Sequence, residues 1–420
     1  MGARHKPTLK LYRRTKASDR ARTCIDLFSG AGGLAVGFRA SGWSILAAND
    51  IDPDAGATFR LNFPEASFFE GPISELTARR LLRECSLKVG QLDCLIGGPP
   101  CQSFSYNNHQ RSAGDARAKL FRDYIRLVDG LKPKMLVMEN VPGILTIGRN
   151  RVIREIERTL ARLGYDCAVR TLAAEEFGTP QSRRRVFIVA SRIGAASALI
   201  PCPTHRGPGA WRGADAARRP HKRAVTVGYA IGDLPPLRSG GGRHGGRRYA
   251  KSATTEFQRN ARKGSGTLAN HVCHDLTPAM LTRIKWVPEG GNWRDIPRRL
   301  LTAGMQRARL SDHTKRYGRL DRSGLASTIL TKCDPHWGAY VHPTQNRTIS
   351  VREAARLQGF PDIFCFAGES TSKQYAQVGN AVPVTVAQAL GKAANRQLTS
   401  WRRALAITTM RTVRTVPRAR

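Results

Sequence analysis

The 420-residue chain carries 69 Lys and Arg against 31 Asp and Glu, a formal net charge of +38 at pH 7. With 41% hydrophobic and 24% charged residues it reads as a folded globular chain long enough for two domains, which excludes wholesale disorder, a collagen-like repeat and a small disulfide scaffold. No run approaches the ~20 apolar residues that cross a bilayer, no apolar stretch follows the basic N-terminus as in a signal peptide, and nine Cys without paired spacing fit free thiols in a reducing cytoplasm. The charge points to a polyanionic partner, nucleic acid ahead of a membrane surface.

Residues 1–22 form a basic arm with eight Lys and Arg against Asp19. Residues 396–420 are expected as a basic tail that also reaches for phosphates. Between them, apolar runs alternate with helical patterns. Cys24–Phe28, Trp43–Ala48, Leu92–Gly97, Met135–Met138 and Val186–Val189 read as strands. Leu120, Phe121, Tyr124, Leu127, Val128 and Leu131 recur at helical spacing, as do Val152, Ile153, Ile156, Leu160 and Leu163. This alternation predicts an α/β domain over 23–198 with a mainly parallel sheet, and places any ligand where strands end. From 199 to 345 the chain turns Gly/Arg-rich and aperiodic, which predicts a smaller, loop-rich second domain. Organised patterning resumes over 346–395.

The chemistry gathers at strand ends. Asp26-Leu27-Phe28-Ser29-Gly30-Ala31-Gly32-Gly33-Leu34 places clustered glycines between a strand and a helix, where backbone N–H groups meet a ligand closely. Asp50 stands twenty residues on, as a ribose-binding acid would. The pattern alone does not separate nicotinamide from other adenosine cofactors, and a tight turn without a ligand is the plainer alternative. Gly97-Gly98-Pro99-Pro100-Cys101-Gln102-Ser103-Phe104-Ser105 exposes a thiol on a stiffened loop at the next strand end. A thiolate is an intrinsically strong nucleophile. Met138-Glu139-Asn140-Val141-Pro142 puts a partly desolvated carboxyl at a third strand end, suited to donating a proton. His271-Val272-Cys273-His274 has no second pair at ligand spacing, so no metal is expected.

In this order the motifs resemble the DNA (cytosine-5)-methyltransferases, from Thr23 to about Leu390. Beside the three above, Gln181-Ser182-Arg183-Arg184-Arg185 resembles the family's Q-x-R-x-R motif. Arg347 to Pro361 resembles the motif closing its recognition region, and Gln377 to Pro383 its last motif. The resemblance implies a Rossmann-like S-adenosylmethionine-dependent catalytic domain with a target-recognition domain at 199–345, acting on cytosine in double-stranded DNA. It implies Cys101 as nucleophile, Glu139 as acid, Asn140 as its orienter, and Arg183 and Arg185 on the base carbonyl and on Glu139 or a phosphate. It assigns S-adenosyl-L-methionine to Asp26, Phe28, Gly30, Gly32, Gly33, Leu34, Asp50, Ile51, Ile73, Pro100, Asn380 and Val382.

Two departures stand out: Asp50 is one methylene shorter than the family's usual Glu, and Pro72 replaces its usual Asp. The family's chemistry also requires the base to leave the helical stack. An RNA-directed relative and a non-catalytic DNA-binding protein are the alternatives. The long 199–345 region and the charge favour DNA, and intact Cys101, Glu139 and Arg185 favour catalysis. Trp286, Gly290–Arg294 and Ser327–Lys332 are candidate DNA contacts. The polar loop from Ser103 to about Ala118 reads as a lid over the flipped base. A monomer without membrane contact, associated with a prokaryotic nucleoid and possessing a partner restriction endonuclease, completes the expectation.

Overall fold

The computed structural model describes residues 21–100, 116–146, 150–206 and 222–414. Seven strands make one sheet: β1 (Thr23–Leu27), β2 (Ser44–Asp50), β3 (Ser67–Glu70), β4 (Cys94–Gly97), β5 (Met135–Asn140), β6 (Asp166–Ala173) and β7 (Arg184–Ser191). Between them run α1 (Gly33–Ala40), α2 (Pro53–Asn62), α3 (Ala78–Glu84), α4 (Ala116–Leu131) and α5 (Arg151–Arg162). Their order is β3-β2-β1-β4-β5-β7-β6. The first five are parallel, whereas β7 runs antiparallel to β5 and β6. The mainly parallel sheet thus ends in an antiparallel edge.

Alternation within each strand feeds two cores. Ile45, Ile96, Val137 and Val189 face one cluster, and Leu95, Leu136, Met138 and Ile188 face the other. On the second face Tyr124, Leu127, Val128 and Leu131 of α4 and Ile153, Ile156 and Leu160 of α5 are buried, as their helical spacing predicts.

The later chain supplies short elements: α6 (Val227–Ile231), β8 (Gly242–Arg243), α7 (Glu256–Arg262), β9 (His271–Val272), α8 (Pro278–Ile284), α9 (Ala303–Arg307), α10 (Val351–Leu357) and α11 (Thr371–Asn380). The region expected as one domain at 199–345 divides between two cores. Leu276, Ile284, Val287, Trp293, Ile296, Met305, Tyr317 and Val341 form a small cluster of their own. Val227, Ile231, Leu268, Val272, Leu320 and Ile329 instead join the first sheet-face core. Polar staples explain the division. Arg356 of α10, fully buried, donates from Nη1 to Asp233 Oδ1 at 2.5 Å and from Nε to Asp362 Oδ1 at 2.9 Å. Arg352 donates to the backbone oxygens of Ala269 and Pro361 at 2.9 and 3.1 Å.

The last helix, α12 (Val384–Arg414), returns to the sheet and packs on α1. The expected basic tail is therefore helical through Arg414. Its Arg402 donates to Asp93 Oδ2 at 2.9 Å, which also anchors the Thr23 N–H. Contact with α1 is backbone-close: Trp43 Nε1 donates to Gly391 O at 2.9 Å, and a Cβ on Gly37 would lie 2.4 Å from Ala387 Cβ. No helix among the described residues is long and apolar enough to cross a membrane. Gly37→Ala should cost about 1–3 kcal/mol through overpacking, read as a lowered thermal midpoint. Gly245→Ala, with nothing within 4 Å of the added atom, should leave that midpoint unchanged.

Candidate active site

Strand order reverses direction between β1 and β4, whose ends pair Leu27 with Gly97. In parallel sheets this is where a ligand crevice opens. Chain packing there is extreme: a Cβ on Gly97 would lie 2.4 Å from Leu27 O. Four strand ends deliver the sequence-predicted residues to this edge.

After β1, Phe28 adopts φ 55°, rare for an aromatic residue, and its ring is only half-buried. Such strain persists where the surroundings over-determine it. Gly30 at φ 52° has open space above it, with nothing within 4 Å of a built Cβ. Its N–H donates to Asp50 Oδ2 at 2.7 Å, while the Asp52 N–H donates to Asp50 Oδ1 at 3.0 Å. Burial nevertheless raises the Asp50 carboxyl above its ordinary value, and these two bonds oppose the rise. Ile51 beside it is 68% exposed, a bare apolar platform next to the carboxylate. Together the open Gly30 cradle, the Asp50 carboxylate and the Ile51 platform fit an adenosine-bearing cofactor. Gly32 takes φ 96° against the rings of Phe59 and Phe63.

The remaining assigned residues differ in their surroundings. Gly33 lies against the chain's return, where a Cβ would come 2.7 Å from Val382 O. Leu34 and Ile73 are buried in the two sheet-face cores, and Val382 is 7% exposed. Asn380 and Pro100 are exposed. Pro72 precedes a 3-10 turn at Ile73–Glu75 and offers neither a carboxylate nor an N–H. His271 uses both ring nitrogens on Ser350 Oγ and Pro235 O, at 2.9 and 2.8 Å, so it acts in packing.

At the end of β5, Glu139 Oε1 pairs with Arg185 Nε at 2.8 Å. Desolvation raises the Glu139 carboxyl, with Arg185 and Arg183 pulling against it. A Cβ on Gly98 would lie 3.1 Å from Glu139 Oε2, so the glycine makes room for the acid. Asn140 Nδ2 donates to Pro99 O at 3.1 Å and thereby ties the β5 end to the diproline loop. Cys101 and residues 103–115 of the lid expected over Ser103 to about Ala118 lie outside the described residues, and α4 already begins at Ala116. Arg184 is exposed, as alternation requires. Arg183 departs from its expected place on the base or on Glu139. It is 3% exposed, and its two terminal nitrogens donate to Ile329 O and Gly379 O, each at 2.8 Å. Gln181 and Gln358, to which the motifs give no role, are both fully buried and hydrogen-bonded to each other at 2.9 Å. Their signal was two amides within motifs otherwise read for charge.

Asp26 lies beneath the cradle rather than in it. It is 1% exposed, and neither carboxylate oxygen has a hydrogen-bond partner among the described residues. Burial, with Asp50 adding a like charge, pushes its carboxyl from 3.8 up to about 8. The folded protein therefore keeps a proton that the unfolded chain releases above about pH 4. Stability contributed through Asp26 should fall as pH rises from about 4 to about 8, and level off beyond. Urea unfolding across that range should show the wild type losing ground steadily to Asp26→Asn. A difference that does not vary with pH would mean an ionised Asp26.

The family model for C-5 cytosine-specific DNA methylases matches residues 22–396. The type II methyltransferase M1.HphI of Haemophilus parahaemolyticus is 33% identical over 373 residues, covering 88% of this chain and 86% of its own. M.AgeI of Thalassovita gelatinovora is 31% identical over 436 residues, covering 88% and 98%. Among solved structures, a prophage-encoded E. coli protein assigned as a DNA modification methyltransferase superposes with TM-score 0.69 at 25% identity, covering 90% of this chain and all (100%) of that one. The S. pombe Dnmt2 methyltransferase superposes with TM-score 0.55 at 17% identity, covering 90% and 99%, and shares the fold. The chain belongs to the C-5 cytosine-specific DNA methylases: it is a DNA (cytosine-5)-methyltransferase on a Rossmann-like, S-adenosylmethionine-dependent fold.

Proposed function

We propose that this enzyme methylates one cytosine within a specific double-stranded DNA sequence, by flipping the base and forming a transient Cys101–cytosine adduct. The observation that carries the reading is the Glu139–Arg185 pair, desolvated at the end of β5 and tied through Asn140 to the loop preceding Cys101. Phe28, Gly30, Gly32, Asp50, Ile51, Pro100 and Asn380 surround the cofactor, with Leu34, Gly33 and Val382 packing behind it. When bound, S-adenosylmethionine supplies an electrophilic methyl group.

Carbon 5 of cytosine is a weak nucleophile, so the chain must activate it. The Cys101 thiolate adds to carbon 6, and the electron pair of the carbon 5–carbon 6 bond moves into the ring. Glu139, favoured as the neutral acid by its burial, donates toward the ring nitrogen as negative charge builds there. Arg185 holds that carboxyl in place. After methylation, loss of the carbon 5 proton expels the thiolate and restores both the aromatic ring and Cys101. An aromatic base inside a duplex presents neither face, so the target must leave the stack.

Duplex DNA is favoured over RNA by the separate small core around Trp293, with Trp286 and Trp337 exposed at 51% and 54%. The +38 charge supports both phosphate binding and a nucleoid location. The names of the type II relatives support a partner restriction endonuclease. Closure of the α1 edge by the chain's own α12 supports action as a monomer.

Bisulfite sequencing of host DNA after expression should reveal methylcytosine in one sequence context, and absence of any would overturn the substrate reading. Cys101→Ser should abolish methyl transfer while retaining cofactor binding. Glu139→Gln should slow turnover on the order of 10²–10⁴-fold. Substantial turnover by the serine variant, followed with methyl-labelled cofactor, would reject the covalent route.

A further inference from the structure

The segment Pro180–Arg183 lies between three functional parts of the chain. Toward the recognition region it pairs as a short parallel bridge, Ser182 N–H donating to Ala326 O at 2.8 Å and Ala326 N–H to Pro180 O at 3.0 Å. Thr328 Oγ1 donates to Ser182 O, and the Ile329 N–H to Gln181 Oε1, both at 2.8 Å. Toward the end of α10, Gln181 Nε2 donates to Leu357 O at 3.1 Å and to Gln358 Oε1 at 2.9 Å. Gln358 Nε2 then donates to Val378 O at 2.8 Å and Ala381 O at 3.2 Å. Arg183 spans the same gap in one side chain, from Ile329 O to Gly379 O. Gly379 is required there, since a Cβ would lie 2.3 Å from Leu330 O. Two residues on, Arg185 holds Glu139.

We propose that Gln181 and Arg183 are positioning residues that couple DNA engagement by Ser327–Lys332 to the segment 379–382, which carries Asn380 and Val382 of the proposed cofactor site. The proposal rests on the readings of Ser327–Lys332 as a DNA contact and of Asn380 and Val382 as cofactor residues. One rigid guanidinium joins both segments, so ordering either restrains the other. Buried amides and guanidinium nitrogens lose much when a partner moves away, because no water replaces it. Coupling of this kind is reciprocal: DNA tightens cofactor binding by the factor by which cofactor tightens DNA binding. Arg183 Nε, buried and without a partner among the described residues, leaves one further donor at the junction.

The test is calorimetric titration of the full-length protein with S-adenosylhomocysteine, with and without a duplex bearing the sequence that bisulfite sequencing reports. In the wild type the duplex should tighten binding about tenfold, within the usual range of coupling. Arg183→Lys keeps the charge, but one ammonium does not reproduce two planar donors, and the effect should fall below about twofold. Gln181→Glu retains the acceptor for Ile329 and loses the donors toward Leu357 and Gln358, with the same expected outcome. Thr328→Val, which removes one bond at the exposed edge, replaces either variant should it not fold. At saturating duplex the variants' KM for cofactor should rise about tenfold, while the pH profile of kcat stays that of the intact Glu139–Arg185 pair. Wild-type coupling in the variants, no coupling in the wild type, or equal loss of binding with and without duplex would overturn the proposal. A wild type that methylates no DNA would instead overturn the substrate reading.

Discussion

The backbones of β1 and β4 approach so closely at their C-terminal ends that Gly97 has no room for a side chain against Leu27 O. The sheet reverses its order between these two strands, sending one connection to each side. The connections diverge and leave a crevice between them. Every reactive group depends on this crevice. The glycine turn after β1, the diproline loop after β4, Asp50 at the end of β2 and Glu139 at the end of β5 all emerge at the same edge. Parallel strands in register make that convergence automatic, and four separated stretches of chain become one site.

Charge had to be handled inside the fold as well as on its surface. Arg347, Arg352 and Arg356 are each fully buried, yet their nitrogens meet carboxylates and carbonyl oxygens. Arg347 and Glu353 exchange two bonds at 2.7 and 2.8 Å, and the guanidinium holds the Glu353 carboxyl well below the ordinary carboxylate range despite burial. A buried pair of this kind adds little net stability over apolar packing, but losing one partner is costly. Directional bonds of this kind specify where the 199–345 stretch attaches. Through Asp233, Arg356 holds the start of that region on the same core that supports α1 and α12, leaving only the cluster around Trp293 separate.

Three carboxyls at the crevice differ because their surroundings differ. Asp50 accepts two backbone N–H bonds, Glu139 has Arg185, and Asp26 is sealed from solvent. Burial raises all three, and Asp26, sealed beneath the cradle, is pushed up to about 8. Proximity links them, since Asp50 contributes to raising Asp26. Charge placed above Gly30 will therefore be felt below it.

Local chemistry made much of this legible in advance. Strands β1, β2, β4, β5 and β7 and helices α4 and α5 were readable because burial on one or both faces imposes apolar runs or helical spacing on neighbouring residues. The glycine turn, the Pro-Pro-Cys loop and the Glu139 strand end were readable because each demands particular residues at adjacent positions. Edge strands β3 and β6 escaped, since their mixed exposure leaves no apolar run. The use of Gly33 against Val382, the burial of Ile73, the helical continuation to Arg414 and the attachment of 225–234 to the sheet core were equally hidden. So was the span of Arg183 from Ile329 to Gly379, 146 and 196 residues away. The sequence by itself determined the elements and the reactive groups, because those follow from neighbours along the chain. Only the tertiary structure decided which arginine faces the acid and which one spans from Ile329 to Gly379, because hydrogen-bond partners so distant in sequence leave no local pattern.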